Sequence, residues 1–167
     1  LRETPLYNSI IEAVALGNTK LNEISMKSLV DDTSKTSVYL KNLIELEIVE
    51  REFSVSDGIK EKANTNRGLY HLTDNFFRFW YRFVPVNMSA IDSGRIVKTY
   101  PHAVKQYFPD YMGLIFEKMC QDYLLYYSEK LPIELSEIGQ WWGADPKKKK
   151  QIQIDIIGTP VEGRDYI

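Results

Sequence analysis

Residues 70–83 read Tyr-His-Leu-Thr-Asp-Asn-Phe-Phe-Arg-Phe-Trp-Tyr-Arg-Phe, and seven of these fourteen side chains are aromatic. Thr73 or Asp74 supplies a side-chain acceptor to start a helix, and the helix that follows is apolar nearly all round. Such a helix is expected to be buried on more than one side. The run is therefore read as a core helix joining one folded unit to the next, not as a base-stacking platform. Arg78 and Arg82, at i and i+4, are placed to pair with carboxylates at that junction.

What precedes this run reads as three short helices and a hairpin. Pro5 suits a first helical turn, because its missing N–H is an orphan there anyway. Leu6, Ile10, Ile11, Val14 and Ala15 then recur at helical spacing until Gly17-Asn18. Thr19 to Ser25 gives a second helix carrying Leu21 and Ile24. Asp31-Asp32-Thr33 starts a third, running to about Leu46, with acceptors for orphan N–H groups and negative charge at the positive end of the dipole. On a helical wheel Tyr39, Leu40, Leu43, Ile44 and Leu46 gather on one side. Ser34, Lys35, Ser37, Val38, Lys41, Asn42 and Glu45 gather on the other. Residues 48–55 and 68–72 read as strands either side of a polar turn from Ser56 to Arg67. This order is that of a winged helix, whose third helix enters the DNA major groove. Ser34, Lys35, Ser37, Lys41 and Asn42 are thus the candidate nucleic-acid contacts, suited to phosphates and base edges. Glu45, Asp31 and Asp32 oppose phosphate, so a protein-docking or purely structural winged helix stays open.

Four prolines and glycines (Pro85, Gly94, Pro101, Pro109) punctuate residues 85–109, which read as a connector with one or two short helices. A long helix follows, about Asp110 to Lys130, with Met112, Ile115, Phe116, Met119, Cys120, Tyr123 and Tyr127 as its expected buried stripe and Glu117 at the stripe's edge. Glu137–Trp142 and Gln151–Ile157 then read as a hairpin around Gly143-Ala144-Asp145-Pro146 and the run Lys147 to Lys150. The four lysines are read as a solvated hairpin tip, with phosphate contact as the alternative. Along the second strand Ile152, Ile154 and Ile156 are expected to face one way and Gln153, Asp155 and Ile157 the other. Asp165-Tyr166-Ile167 starts a third strand. The chain begins at Leu1 and stops within that strand, so it reads as a piece of something longer.

Charge limits the function classes. Residues 1–84 hold 11 Lys/Arg against 12 Asp/Glu, and residues 85–167 hold 10 against 11. A DNA role must therefore rest on a local patch. Hydrophobic residues at 44% and a net charge of -2 exclude a disordered chain. No apolar run approaches the ~20 residues of a membrane span, and no membrane partner is expected. The single cysteine, Cys120, cannot form an intrachain disulfide, which fits a reducing, cytoplasmic setting. His71 and His102 lie far apart, so no zinc-ligand spacing occurs.

Taken together, the winged-helix order and the pieces YHLTDNFFRFWYRFV, GLIFEKMCQDYL, EIGQWWG and QIQIDIIG resemble the C-terminal region of archaeal and bacterial P-loop ATPases of the AAA+/STAND type. The resemblance implies an α+β chain with three parts: a winged helix with its trailing aromatic helix over 1–84, the connector 85–109, and a truncated restriction-endonuclease-like, PD-(D/E)XK domain over 110–167. It implies an accessory role in DNA binding or in regulating the ATPase, with DNA and the ATPase domain of its own chain as partners; homo-oligomers stay open. ATP belongs to the missing N-terminal domain, since no Gly-x-x-x-x-Gly-Lys-Ser/Thr occurs here. The resemblance also offers a metal-dependent endonuclease as the alternative. Residue by residue, Glu117 falls at that family's helix glutamate and Asp155 at its strand aspartate, the Mg²⁺ ligand; the Glu-x-Lys of the next strand is absent, and Gln153 stands where a second acidic residue often occurs. Mg²⁺ would need the complete site, so this piece by itself is expected to hold no cofactor.

Overall fold

A computed structural model describes residues 3–30, 32–56, 67–145, 147, 149–162 and 167. The expectations for Asp31, for most of the turn between the first two strands, and for Asp165-Tyr166 fall outside the described residues. The fold is mixed α+β and divides into two compact units. One comprises Leu1–Glu52 with Lys62–Tyr111, the other Phe53–Glu61 with Met112–Ile167.

In the first unit, α1 (Thr4–Ala15) has Pro5 in its first turn and is followed, one residue past its C-cap Leu16, by Gly17, whose φ of 95° only glycine adopts without strain. Next come α2 (Leu21–Lys27) and α3 (Thr33–Glu45). The Asp32 carboxylate accepts the Lys35 N–H at 3.0 Å, and so fixes where α3 starts. Strands β1 (Val49–Glu52) and β2 (Leu69–Leu72) pair antiparallel, Val49 opposite Leu72 and Glu52 opposite Leu69. The Tyr70 N–H donates to the Thr19 carbonyl at 2.8 Å, so the α1–α2 connection lies along the free edge of β2. Ile10, Ile24, Leu40, Leu43, Val49 and Leu72 are sealed in one core beneath these elements. Leu46, expected inside, is exposed, because the helix has ended at Glu45 and the chain turns at Glu47 with φ 57°. That left-handed turn is held by the Thr73 hydroxyl, which donates to the carbonyls of Glu47 (2.6 Å) and Ile48 (3.2 Å).

The aromatic run forms α4 (Asn75–Phe83), capped by Asp74, whose carboxylate accepts the Phe77 N–H at 2.9 Å. The expectation that it is buried on several sides does not hold. Of its own side chains only Phe83 is buried; Phe76 and Trp80 are exposed, their rings 6.0 Å apart. A spacing of four stacks them on each other along one side of the helix, while Phe79 and Phe83 pack on Tyr111. Arg78 donates to the Leu72 carbonyl at 3.1 Å, and the Arg82 guanidinium stands over the Phe83 ring at 5.6 Å. The connector contains α5 (Met88–Asp92) and α6 (Ile96–Ala103) with short 3₁₀ turns beside them.

Helix α7 runs Phe108–Tyr126, shorter than expected, and continues as a 3₁₀ turn at Ser128–Lys130. In the second unit it lies beside one ribbon, β3 (Leu135–Asp145) and β4 (Lys150–Pro160), paired antiparallel. The expected buried stripe of α7 is largely exposed: Phe116, Met119 and Tyr123 are each about three-fifths accessible. What faces the ribbon instead is the polar row Glu117, Gln121 with Leu124, because hydrogen bonds to β3 and β4 hold the first two there. The alternation expected along β4 also fails. Gly139 pairs with Ile157 and Trp141 with Ile154, so Gln140 alone stands opposite two residues, Asp155 and Ile156. This bulge changes the side-chain parity of the strand. Ile156 lines a groove with Cys120 and Leu124 of α7, whereas Ile152 and Ile154 are exposed. The first wing strand, expected over 48–55, ends at Glu52; beyond it the Val55 N–H donates to the Gln140 carbonyl at 3.0 Å.

Two outcomes follow. A Cβ at Gly143 would stand 2.7 Å from the Trp141 ring, so Gly143→Ala should cost about 1–3 kcal/mol in urea melts and shift tryptophan emission. The His71 side chain is half-buried and its Nε2 atom wholly so, making no hydrogen bond while a Glu52 carboxylate oxygen stands 3.4 Å away. Burial first, then Arg78, hold its pKa at about 4, against 6.5 for a free imidazole, and this outweighs the pull of Glu52 toward the charged form. The neutral ring's contribution is present above pH 6.5 and is lost as pH falls toward 4, at no more than about 1.4 kcal/mol per pH unit. Melts across that window should show the slope in wild type and a flatter profile in His71→Gln.

Candidate functional site

The first candidate surface is the outer side of α3. Its inner side is anchored by Leu40 and Leu43 and by Thr36, a fully buried residue whose hydroxyl donates to the Asp32 carbonyl at 2.7 Å. Ser34, Lys35, Val38 and Lys41 are exposed on the other side, and Ser37 is half-buried. Asn42, read from the sequence as an outward contact, is half-buried, and its amide donates to the Tyr7 hydroxyl at 2.7 Å. That side chain ties α3 to α1. Lys41 reaches the Glu45 carboxylate at 3.9 Å, an exposed i,i+4 pair worth about 0.3–0.5 kcal/mol, which a phosphate can outcompete. Val38, 60% exposed in the middle of this side, is the one apolar group there.

The second candidate site lies within the second unit, where α7 meets the β4 bulge. Glu117 and Asp155 come near enough for one to feel the other: burial first, and the Asp155 charge second, push the Glu117 carboxyl above the usual carboxylate range. Three amides surround the pair. Gln121, one turn after Glu117, donates to the Asp155 carbonyl at 2.9 Å and is buried. Gln140 donates to Glu117 Oε2 at 3.4 Å, and Gln153 donates to Gln140 Oε1 at 3.4 Å. The chain of amides runs from β4 through β3 to the helix carboxylate.

Sequence reasoning missed Gln121 and Gln140. Their signals were present: Gln121 lies four residues beyond Glu117, and Gln140 is a lone amide at an inward register position between Ile138 and Trp142. Chemically, a carboxylate pair with one raised pKa is suited to hold a hard divalent cation, with water and phosphate oxygens filling the remaining positions. Among the described residues no group of three or more His, Cys, Asp or Glu side chains converges. Of the third strand expected from the sequence, Ile167 is the one described residue, and it lies outside any strand. Its N–H and C=O both exchange hydrogen bonds with Gly158, at 3.0 and 2.7 Å, which is the bonded pair of an antiparallel ladder. No helix among the described residues is long and apolar enough to cross a membrane.

Comparison with known proteins agrees with the prokaryotic character of the sequence. An uncharacterized protein of Methanocaldococcus jannaschii is 36% identical over 174 residues, covering 98% of this chain. The chain spans 38% of the length of that relative. No solved structure matches. Residues 80–167 match the signature of archaeal and bacterial proteins of unknown function named DUF234, and the chain belongs to that family.

Proposed function

We propose that this chain is the accessory region of a prokaryotic P-loop ATPase, and that α3 contacts DNA for that motor. The observation that carries the reading is a capped helix anchored by Leu40 and Leu43, with Ser34, Lys35, Val38 and Lys41 left exposed on its outer side. Lysines and a serine hydroxyl supply phosphate contacts, and a valine methyl suits the thymine C5-methyl group. The relative's far greater length leaves space in it for a nucleotide-binding domain. In gel shifts at several salt concentrations, a Lys35→Ser/Lys41→Ser variant should bind duplex DNA more weakly. The slope of log affinity against log salt should flatten by about one per lysine removed. Unchanged affinity and slope would leave the competing reading, a winged helix that docks on protein; the exposed Met26, Leu29 and Val38 would serve that role.

A second reading, a metal-dependent endonuclease, draws on Glu117 and Asp155 alone. In it the two carboxylates would hold Mg²⁺, which would activate water and stabilise charge on the scissile phosphate. A raised Glu117 pKa means that protons compete with the metal. Calorimetric titration of the full-length protein, in which the site would be complete, with Mn²⁺ should therefore show affinity rising with pH as the Glu117 carboxyl loses its proton, and Asp155→Ala should abolish it. Heat-silent titrations at every pH would remove this reading.

A further inference from the structure

We propose that the outer half of the β3–β4 ribbon is a second nucleic-acid contact, gripping a phosphodiester backbone independently of α3. From Pro146 to Ile154 the sequence carries four lysines, two glutamines and no acidic residue, within a chain of net charge -2. Lys147, Lys149 and Lys150 are exposed at the turn. The Asp145 carboxylate at the base of that turn accepts the Lys147 N–H at 2.8 Å and so is used in closing it. Three exposed lysines against the one carboxylate of Asp145, which stands across the ladder from Lys150, leave a net positive charge at the end of the ribbon that attracts an anion.

Behind the lysines lies an apolar band. Trp141 pairs across the ladder with Ile154, and Gly143 with Ile152. These four positions share one face by strand parity. The Trp141 ring lies along Gly143, so close that a Cβ there would strike it. Ile152 and Ile154 are 37% and 42% exposed.

A cationic tip followed by an apolar band fits two polyanions, a nucleic acid and an anionic membrane. The order of the two features favours the first. A membrane-seeking hairpin leads with apolar residues and leaves lysines behind at the headgroups. Here the lysines lead. A two-stranded ribbon also matches the roughly 12 Å width of the DNA major groove, with phosphates on either side for the lysines and thymine methyls for isoleucine.

The test is fluorescence anisotropy of the whole chain with a labelled 20-base-pair duplex. Wild type is compared with Lys147→Gln/Lys149→Asn/Lys150→Gln, and with the Lys35/Lys41 variant in parallel. Asparagine is used at 149 because φ is 51° there and asparagine tolerates that region. If circular dichroism shows the triple variant unfolded, Lys147→Gln/Lys150→Gln, which leaves position 149 alone, takes its place. The expected result is about tenfold weaker binding and a salt slope flatter by about two to three units. An unchanged ribbon variant beside a weakened α3 variant overturns the ribbon contact and leaves the α3 reading standing. A weakened ribbon variant beside an unchanged α3 variant supports the ribbon and defeats the α3 reading. Capture on phosphatidylserine-containing vesicles that depends on the three lysines, with DNA affinity unmoved by their loss, assigns the tip to membrane and overturns the proposal.

Discussion

One extra residue in β4 governs the second unit. Because Gln140 stands opposite both Asp155 and Ile156, the strand changes parity at that point. Without the bulge, Asp155 and Ile156 would project to opposite faces, and the carboxylate would share the α7 side with Ile157 in place of Ile156. The buried Gln121 amide holds the bulged carbonyl, so the helix and the irregularity depend on each other. The consequence reaches Glu117. Its place among amides, near a second carboxylate and out of full contact with water, exists because polar residues of α7 face the ribbon.

The first unit obeys a simpler rule. A side-chain acceptor at Asp32 sets the start of α3, a buried hydroxyl at Thr36 reinforces it, and two leucines fix its roll. Once these are placed, the exposure of Lys35, Val38 and Lys41 follows from a period of 3.6 residues. Asn42 stands at the margin of that exposed side, and there the Tyr7 hydroxyl claims its amide.

Where the chain declares itself through local signals, the sequence is legible. Pro5, Gly17, Asp32 and Asp74 mark helix ends that depend on a handful of atoms nearby, and the hairpins follow their turns. What escaped reading depends on neighbours distant in the chain. Phe76, Trp80, Phe116 and Tyr123 look like core by composition, yet burial needs a partner surface that periodicity does not reveal. The bulge escaped because alternation in β4 is broken by one residue too many, and only pairing with β3 exposes the surplus. Glu117 and Asp155 were legible as a pair only through resemblance; the amides that surround them become visible once the register is known.

The turn at Glu47 links α3 to the β1–β2 hairpin through a backbone state that costs a non-glycine residue about 1 kcal/mol or more. The Thr73 hydroxyl secures it by bonding the two carbonyls of Glu47 and Ile48. The Thr73 N–H also donates to the Ile48 carbonyl, and the Glu47 and Ile48 N–H groups bond back to the carbonyls of Ile44 and Leu43, so side chain and backbone close the turn together. A valine at 73, equal in shape but lacking that oxygen, would strip the Glu47 carbonyl of its hydroxyl donor and leave the strained elbow to its backbone bonds alone.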